Sequence, residues 1–340
     1  MTDTINRRVV LAKRPEGELQ DGDLVLEEAP IPALAEGELL IQVMWLSLDP
    51  YMRPRMSEIK GYAEPIGIGE VIVGGSLGRV IASKTDKYAV GDIVTCYTGW
   101  QEYCVVPDSV DGLNKVVPND VSLSAFLGSA GMPGRTAYCG LTYLGKPKAN
   151  ETVVVSAAAG AVGSVVGQLA KLEGCRAVGI AGGDDKCRYL TDELGFDAAV
   201  DYKSSDFSAE LKVACPDGID VYFENVGGDV AKAVAQLLNP GARVPICGYV
   251  SAYNAEDLNS IETPMHIFGA MDPKPEHRFF LVGEWQEQHD EHTELLAELV
   301  KTGQLKYRET VAEGLENAAE AFKGMLRGKN LGKQLVHIAD

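Results

Sequence analysis

The sequence predicts an α/β protein: a doubly wound parallel sheet preceded by a β-rich domain. Three observations predict it. The first 120 residues alternate short apolar stretches with Gly, Pro and Asp and carry no long helical pattern. From Thr152 onward, apolar β-branched runs alternate with amphipathic stretches in the rhythm strand, helix, strand. At 340 residues the chain is too long for one ordinary core, so two domains are expected.

The elements follow in order. Leu39-Leu40-Ile41-Gln42-Val43 and Gly78-Arg79-Val80-Ile81 read as strands. Val90-Gly91-Asp92-Ile93-Val94 reads as a turn feeding a strand, with Gly91 free to take a positive φ. Several short strands without a long helix suggest a partly closed barrel. Thr152-Val153-Val154-Val155 reads as a parallel strand buried on both faces. A helix from Val162 to Leu172 follows, with Val162, Val165, Val166, Leu169 and Leu172 at spacings of three and four. Ala177 to Ile180 is the next strand, and Lys186 to Leu194 a helix closed by Gly195. Ala198-Ala199-Val200, Ile219 to Phe223 and Ala242 to Ile246 continue the alternation. Near the end, Leu315, Ala319, Phe322 and Leu326 line one face of a helix, and Gly332 to Ile338 reads as a last strand. This tail is assigned to the first domain, giving boundaries 1–125 completed by 305–340, and 126–304. No internal repeat or low-complexity segment is visible.

Composition removes several function classes. Acids outnumber bases 49 to 31, and the net charge of -18 opposes nonspecific binding to nucleic acid or anionic lipid. No apolar run approaches the roughly 20 residues that span a bilayer. The opening MTDTINRRVVLAKRPEG lacks the apolar core of a signal peptide, so a cytoplasmic protein is expected. Cys96, Cys104, Cys139, Cys175, Cys187, Cys215 and Cys247 are widely spaced with no CxxC, as expected for reduced thiols packed as small hydrophobes. The histidines, His266, His277, His289, His292 and His337, all fall late. His289 and His292 sit in an acidic helical stretch and read as solvated.

The strongest chemical signal is the loop Val155 to Gly167, VSAAAGAVGSVVG. Set against G-x-G-x-x-G, Ala158 stands at the first glycine, and Gly160 and Gly163 at the others. Gly160 lets the backbone approach a pyrophosphate, and Gly163 lets the helix pack close to the strand. The residues from Ala159 through Gly160, Ala161 and Val162 to Gly163 then face the phosphates with free N–H groups and the positive end of a helix dipole. The next strand ends in Ala181-Gly182-Gly183, without the acid that takes a ribose hydroxyl in NAD sites. Gly183 leaves room for a 2′-phosphate, and Lys186 follows. Asp184 or Asp185 could instead receive a ribose hydroxyl, and Lys186 also fits a solvated helix charge. The residues favour NADP over NAD.

Five segments recur in one order across nearly the whole chain. They are Ser47-Leu48-Asp49-Pro50-Tyr51-Met52-Arg53, Gly131 to Tyr138, Ala157 to Gly167, Glu224-Asn225-Val226-Gly227-Gly228 and Asn330-Leu331-Gly332-Lys333. Together they resemble the medium-chain dehydrogenase/reductase superfamily. The resemblance is to its zinc-independent branch of prostaglandin reductases (leukotriene hydroxydehydrogenase-like), plant double-bond reductases and bacterial curcumin reductases. Tyr51 to Tyr62, followed by Gly74-Gly75, is most similar to the curcumin reductases.

The resemblance implies a GroES-like catalytic domain formed by both chain ends, with a Rossmann NADP-binding domain between. It implies NADPH, reduction of a C=C bond conjugated to a carbonyl in curcumin-like or other enones, and a homodimer formed through the Rossmann domain. By likeness, Lys186 and Tyr202 lie near the adenosine 2′-phosphate, Asn225 holds the ribose or pyrophosphate side, and Asn330 also reaches the cofactor. Thr136 sits by the nicotinamide. Tyr253 faces the nicotinamide ribose and the substrate carbonyl, and Tyr51 and Tyr62 help bind an aromatic substrate. Hydride would attack the β-carbon, and Tyr253 or a ribose hydroxyl would stabilise the enolate oxygen. Zinc dehydrogenases on this fold use thiolate and imidazole ligands, whereas Leu48-Asp49-Pro50 and Gly67-Ile68-Gly69-Glu70 supply neither, so no metal is expected. Arg135 stands where relatives often carry an apolar residue. Residues 255–285 match poorly, which leaves the substrate's size open. Read without the resemblance, Tyr253 fits a packing tyrosine, Asn225 a turn residue and Asn330 a helix cap. The rival functions are an NADPH quinone oxidoreductase on the same fold and a non-catalytic nucleotide-bound structural or RNA-binding protein. The charge of -18 argues against RNA.

Overall fold

In the computed structural model, which describes residues 5–58, 63–255 and 261–340, the chain divides into two compact units. One comprises Met1–Leu127 with Glu309–Asp340, and the other Gly128–Arg308.

The first unit opens with a hairpin, β1 (Ile5–Leu11) antiparallel to β2 (Leu24–Pro30). Its main sheet begins with β3 (Glu38–Ser47), β4 (Ser76–Ser83), β5 (Ile93–Cys96), β6 (Tyr103–Pro107) and the short β7 (Asn114–Lys115). Leu39, Ile41 and Val43 alternate inward along β3, as period-two patterning requires. One side of β3 pairs with β4 throughout, with register shifts at Leu40/Ile41 and Val43/Trp45. Such irregularities bend a strand. On the other side, residues 38–42 pair with β6, while the far end pairs with a strand from the chain's C-terminal part. This change of partner curls the sheet around Leu39, Ile41, Val80, Val94 and Val106. Gly91 has φ +97 in the turn before β5.

The second unit starts with α1 (Met132–Cys139), which runs into a π-helical turn, Gly140–Gly145. Strands and helices then alternate: β8 (Thr152–Ser156), α2 (Gly163–Leu172), β9 (Arg176–Ala181), α3 (Asp184–Arg188), β10 (Ala198–Asp201) and α4 (Phe207–Ala214). The second half follows with β11 (Ile219–Phe223), α5 (Gly228–Ala235), β12 (Leu238–Ile246), α6 (Pro264–Gly269), β13 (Glu276–Phe279) and α7 (His289–Lys301). The strands form a parallel sheet in the order β10-β9-β8-β11-β12-β13. This is the doubly wound Rossmann order, in which the chain's direction of winding reverses between β8 and β11. Every residue of β8 is buried, as its apolar run predicts.

Three helical expectations shift. In α2, Val165, Val166 and Leu169 are buried, but Leu172 is exposed in the last turn. The helix expected from Lys186 begins two residues earlier, at Asp184, where two acids suit the positive end of the dipole. It continues as a π-helical turn, Tyr189–Glu193, before Gly195 at φ +75. His292, expected in solvent, is buried on the face of α7 that also buries Leu296. It shares hydrogen bonds with Tyr143 Oη (2.9 Å) and Cys139 Sγ (3.5 Å), and burial lowers its pKa. A helix rich in polar residues hides an inward histidine, because so few apolar neighbours mark its buried side.

The chain then returns to the first unit with β14 (Glu309–Glu313), α8 (Ala318–Leu326) and β15 (Lys333–His337). Strand β14 runs parallel to β15, which pairs antiparallel with the end of β3. The helix expected over 315–326 begins as a 3₁₀ turn, Leu315–Asn317. Three residues per turn advance the buried face, so Leu315, Ala318 and Phe322 are buried while Ala319 and Leu326 are half-buried. Phe322 packs edge-on to Trp100 at 5.4 Å.

All seven thiols are free; Cys96, Cys139, Cys175 and Cys215 are buried, and Cys104, Cys187 and Cys247 half-buried. Among the described residues, no helix is long and apolar enough to cross a membrane.

Candidate functional site

In a doubly wound sheet, ligands bind beyond the carboxyl ends of the strands where the order reverses. Here those ends are Ser156 of β8 and Phe223 of β11. The loop after Ser156 turns through Ala157, which has φ +50. The left-handed position is therefore Ala157, one residue before the Ala158 that stands at the motif's first glycine. A Cβ on Gly163 would lie 2.8 Å from Ala158 Cα and closer still to the Ala157 carbonyl oxygen. Only glycine fits there, which seats α2 against the end of β8. Gly160 is less constrained, with 3.1 Å to the same oxygen. The Gly160 N–H closes the turn onto Ala157 O at 2.9 Å. The N–H groups of Ala159, Ala161 and Val162 reach no acceptor among the described residues, and Val162 supplies no side-chain cap to α2. Three unengaged donors at the positive end of a helix form an anion cradle.

The loop after β11 is tied to the same place. Asn225 donates its backbone N–H to Ser156 Oγ (2.9 Å) and its side-chain Nδ2 to Ser156 O (2.8 Å). Its Oδ1 accepts no hydrogen bond among the described residues. Gly227, before α5, and Gly228, its first residue, take φ +77 and +57. Val250 N–H donates to Asn225 O (3.0 Å), and Ser251 N–H and Oγ both donate to Val226 O. The turn ending at Tyr253 thus hangs from the Asn225–Val226 backbone. The Tyr253 hydroxyl lies over Gly248, where a Cβ would come within 2.8 Å of it. Its ring meets Tyr249 edge-on at 5.8 Å.

At the end of β9, Gly182 lies against Tyr202 and Lys203; a Cβ there would be 3.1 Å from Lys203 Cε. Gly183, at φ +97, has open space where a side chain would stand. Lys186 is half-buried, and burial first, then the like charge of Lys203, lowers its pKa. Lys203 lies 5.9 Å from the centre of the exposed Tyr202 ring. Asp185 is paired with Arg188. Lys186 and Lys203 therefore stand together at this end of the sheet, beside Asp184 and Asp185 at the start of α3. Sequence reading missed Lys203. Its signal was its place directly after Tyr202, where β10 ends.

Other expected residues lie elsewhere. Thr136 is buried on α1 and donates its hydroxyl to Met132 O (2.8 Å). In the first unit, Tyr51 is half-buried in the 3₁₀ turn Pro50–Met52 and packs on the cluster containing Leu48, Met52 and Trp100. This turn is held from the other end of the sequence: buried Lys333 donates to Leu48 O (2.6 Å) and Asp49 Oδ1 (2.9 Å). Ser47 Oγ donates to the other Asp49 oxygen. Asn330 donates to Gly332 O (2.8 Å); it does not cap α8, which ends at Leu326. Tyr62 lies outside the described residues.

Two family profiles match the chain, one described as "N-terminal domain of oxidoreductase" over residues 7–116 and one as "Zinc-binding dehydrogenase" over 161–277. The chain is 45% identical to the NADPH-dependent curcumin reductase of Escherichia coli (strain K12), covering 98% of this chain and 97% of that one. It belongs to the zinc-independent branch of the medium-chain dehydrogenase/reductase superfamily. Within that branch it is 39% identical to a 2-alkenal reductase (NADP(+)-dependent) of Nicotiana tabacum, over 98% of both chains. It is 40% identical to prostaglandin reductase 1 of Mus musculus, over 96% and 97%. The crystal structure of CurA from Vibrio vulnificus in complex with NADPH superposes with a TM-score of 0.92 at 45% identity, covering 98% of this chain and 99% of that one. Among the described residues of this reductase, no group of three or more His, Cys, Asp or Glu side chains is placed to hold a metal ion. In the stretch Leu48-Asp49-Pro50, buried Asp49 is ion-paired with buried Lys333 at 2.9 Å.

Proposed function

We propose that this protein is an NADPH-dependent reductase of the C=C bond of α,β-unsaturated ketones. One observation carries the cofactor reading. The anion cradle of Ala159, Ala161 and Val162, and Lys186 with Lys203 beyond the end of β9, stand on one edge of a doubly wound sheet. The relatives' activities, curcumin and alkenal reduction, support the choice of substrate class.

In this reading Ala159, Ala161 and Val162 bind the pyrophosphate, and Gly160 and Gly163 shape their loop. Gly183 leaves space for the 2′-phosphate, which Lys186 and Tyr202 receive. Asn225 Oδ1 accepts from a ribose hydroxyl, and Thr136 lines the nicotinamide. When bound, NADPH supplies the hydride to the β-carbon of the enone. Tyr253 Oη donates to the carbonyl oxygen as negative charge develops there. A donor preset at that position stabilises the transition state more than the ground state. Water delivers the α-carbon proton. Roles for Tyr51, Tyr62 and Asn330 rest on family likeness, as do the assignment of the first unit as catalytic and the second as NADP-binding. We also propose a homodimer formed through the second unit, tested by light scattering, and a cytoplasmic location.

The test is NADPH oxidation measured with an enone, with a quinone and with no acceptor. Consumption with the enone is expected. Consumption with the quinone alone would replace this reading by quinone reduction. No consumption with either acceptor would leave a nucleotide-binding protein without this activity.

A further inference from the structure

We infer that Glu224 is a positioning residue that sets Asn225 and Tyr253 for catalysis through the loop between β11 and α5. The inference rests on the reading that those two residues face cofactor and substrate.

The Glu224 side chain leaves the end of β11 and is completely buried. One of its oxygens, Oε1, accepts from four donors: Val226 N–H (2.7 Å), Gly227 N–H (3.0 Å), Ser156 Oγ (3.0 Å) and Tyr222 Oη (3.0 Å). The other, Oε2, is buried without a hydrogen-bond partner among the described residues. The carboxyl group therefore acts through a single oxygen, and that oxygen is aimed at the loop.

The consequences spread in two directions. Ser156 Oγ, held by Oε1, accepts the Asn225 backbone N–H, which fixes the start of the loop against β8. Oε1 fixes the N–H groups of residues 226 and 227, while the carbonyls of residues 225 and 226 hold the N–H groups of Val250 and Ser251. The Glu224 carbonyl itself receives Cys247 N–H (2.9 Å) and Gly248 N–H (3.2 Å). Gly248 is the residue over which the Tyr253 hydroxyl lies. Tyr253 is thus hung, at both ends of the segment that carries it, from backbone that Glu224 immobilises.

The carboxyl group is held by hydrogen-bond donors. The groups packed against the carboxyl are Ser156 of β8, Tyr222 of β11 and Cys247 at the end of β12, with no cation among them. Burial raises the pKa of Glu224, and burial together with Glu224 pushes the Cys247 thiol up to about 12. Glutamine keeps an acceptor oxygen at the same reach. Reach matters more than charge: removing one methylene withdraws the oxygen by about one C–C bond length, roughly 1.5 Å.

The test compares Glu224→Gln with Glu224→Asp. Three quantities are read: the NADPH dissociation constant, kcat with an enone, and amide hydrogen exchange of segments 225–228 and 248–253 in the cofactor-free protein. The neutral glutamine is expected to stay close to wild type in all three. The charge-conserving aspartate is expected to speed exchange in both segments and lower kcat by about 10- to 100-fold, the scale of a misplacement near 1 Å. Its effect on kcat should shrink when combined with Tyr253→Phe, because both changes act on one hydroxyl. A glutamine variant worse than the aspartate, unchanged exchange in 248–253, or full additivity with Tyr253→Phe would overturn the inference. The exchange comparison needs neither cofactor nor substrate. A wild-type protein inert toward enones would therefore refute the proposed function without deciding the role of Glu224.

Discussion

Gly163→Ala should separate cofactor binding from stability. The added methyl would lie 2.8 Å from Ala158 Cα and 2.9 Å from Ala157 C, and closer still to Ala157 O. Non-bonded carbons rest at about 3.5–4.0 Å, so the phosphate loop must retreat by roughly 0.7–1 Å. The opposing atoms are backbone, so no rotamer change can relieve them. Overpacking costs about 1–3 kcal/mol. Replacing glycine by alanine in a helix returns up to about 1 kcal/mol. The net loss of about 0–2 kcal/mol lowers Tm by only a few degrees. Binding suffers more, because the loop carries the N–H groups of Ala159, Ala161 and Val162. A misplaced hydrogen bond to a charged group loses about 1.5–3 kcal/mol, or about 10- to 100-fold in NADPH affinity. Gly167→Ala is the control. Its methyl would lie 2.6 Å from Phe196 Cε2 and closer to the ring tip, which strains the core behind α2 and not the loop. It should lower Tm more, with NADPH affinity changed by less than about threefold. The measurements are fluorescence titration with NADPH and thermal unfolding. NADPH affinity equal to wild type in Gly163→Ala would refute the cradle.

Four further outcomes are expected. Lys186→Ala weakens NADPH by about 1.5–3 kcal/mol while sparing NADH, and equal losses in titrations of both would remove Lys186 from the 2′-phosphate. Tyr253→Phe lowers enone turnover with NADPH affinity retained. The loss stays below the roughly 2.7–4 kcal/mol of a dedicated oxyanion donor, because a ribose hydroxyl or water can substitute, and steady-state kinetics decide it. Lys333→Met strands the buried Asp49 carboxylate and destabilises the fold by about 3–5 kcal/mol in denaturant unfolding, more than it does alongside Asp49→Asn. Burial pushes Cys96 and Cys247 up to about 12 and the other five thiols to about 11, against an ordinary value of 9.0. Thiols raised in the folded state favour it below pH 9, and that contribution fades as pH rises from 9 toward 11–12. Under reducing conditions Tm should fall across that window, and a thiol reagent at pH 8 should react far faster after unfolding.

The sequence revealed what is written locally. Strand β8 was legible because every residue from Thr152 to Val155 is β-branched and three of the four are valines, and α2 because its valines and leucines recur at helical spacing. The small residues Ala181-Gly182-Gly183 at the end of β9, followed by Lys186, could be read for the same reason. What was missed depends on partners far along the chain. The Asp49–Lys333 pair joins residues 284 positions apart. Glu224 gains its meaning from Ser156, 68 residues away. His292 looked solvated because its partners, buried Cys139 and half-buried Tyr143, come from around the end of α1. Within 255–285 the sequence suggested no element, yet α6 and the edge strand β13 lie there. Strand β13 pairs with β12 alone and alternates exposed with half-buried residues, so no apolar run marks it. Nothing local distinguished Tyr253 or Asn225 either, and their proposed roles came from family resemblance.

The most direct test is the destination of the hydride. The protein is incubated with an α,β-unsaturated ketone and NADPH deuterated at carbon 4 of the nicotinamide on the transferred face, and the product is examined by NMR and mass spectrometry. The account predicts a saturated ketone with its carbonyl retained and deuterium on the former β-carbon. An allylic alcohol with deuterium on the former carbonyl carbon would contradict it.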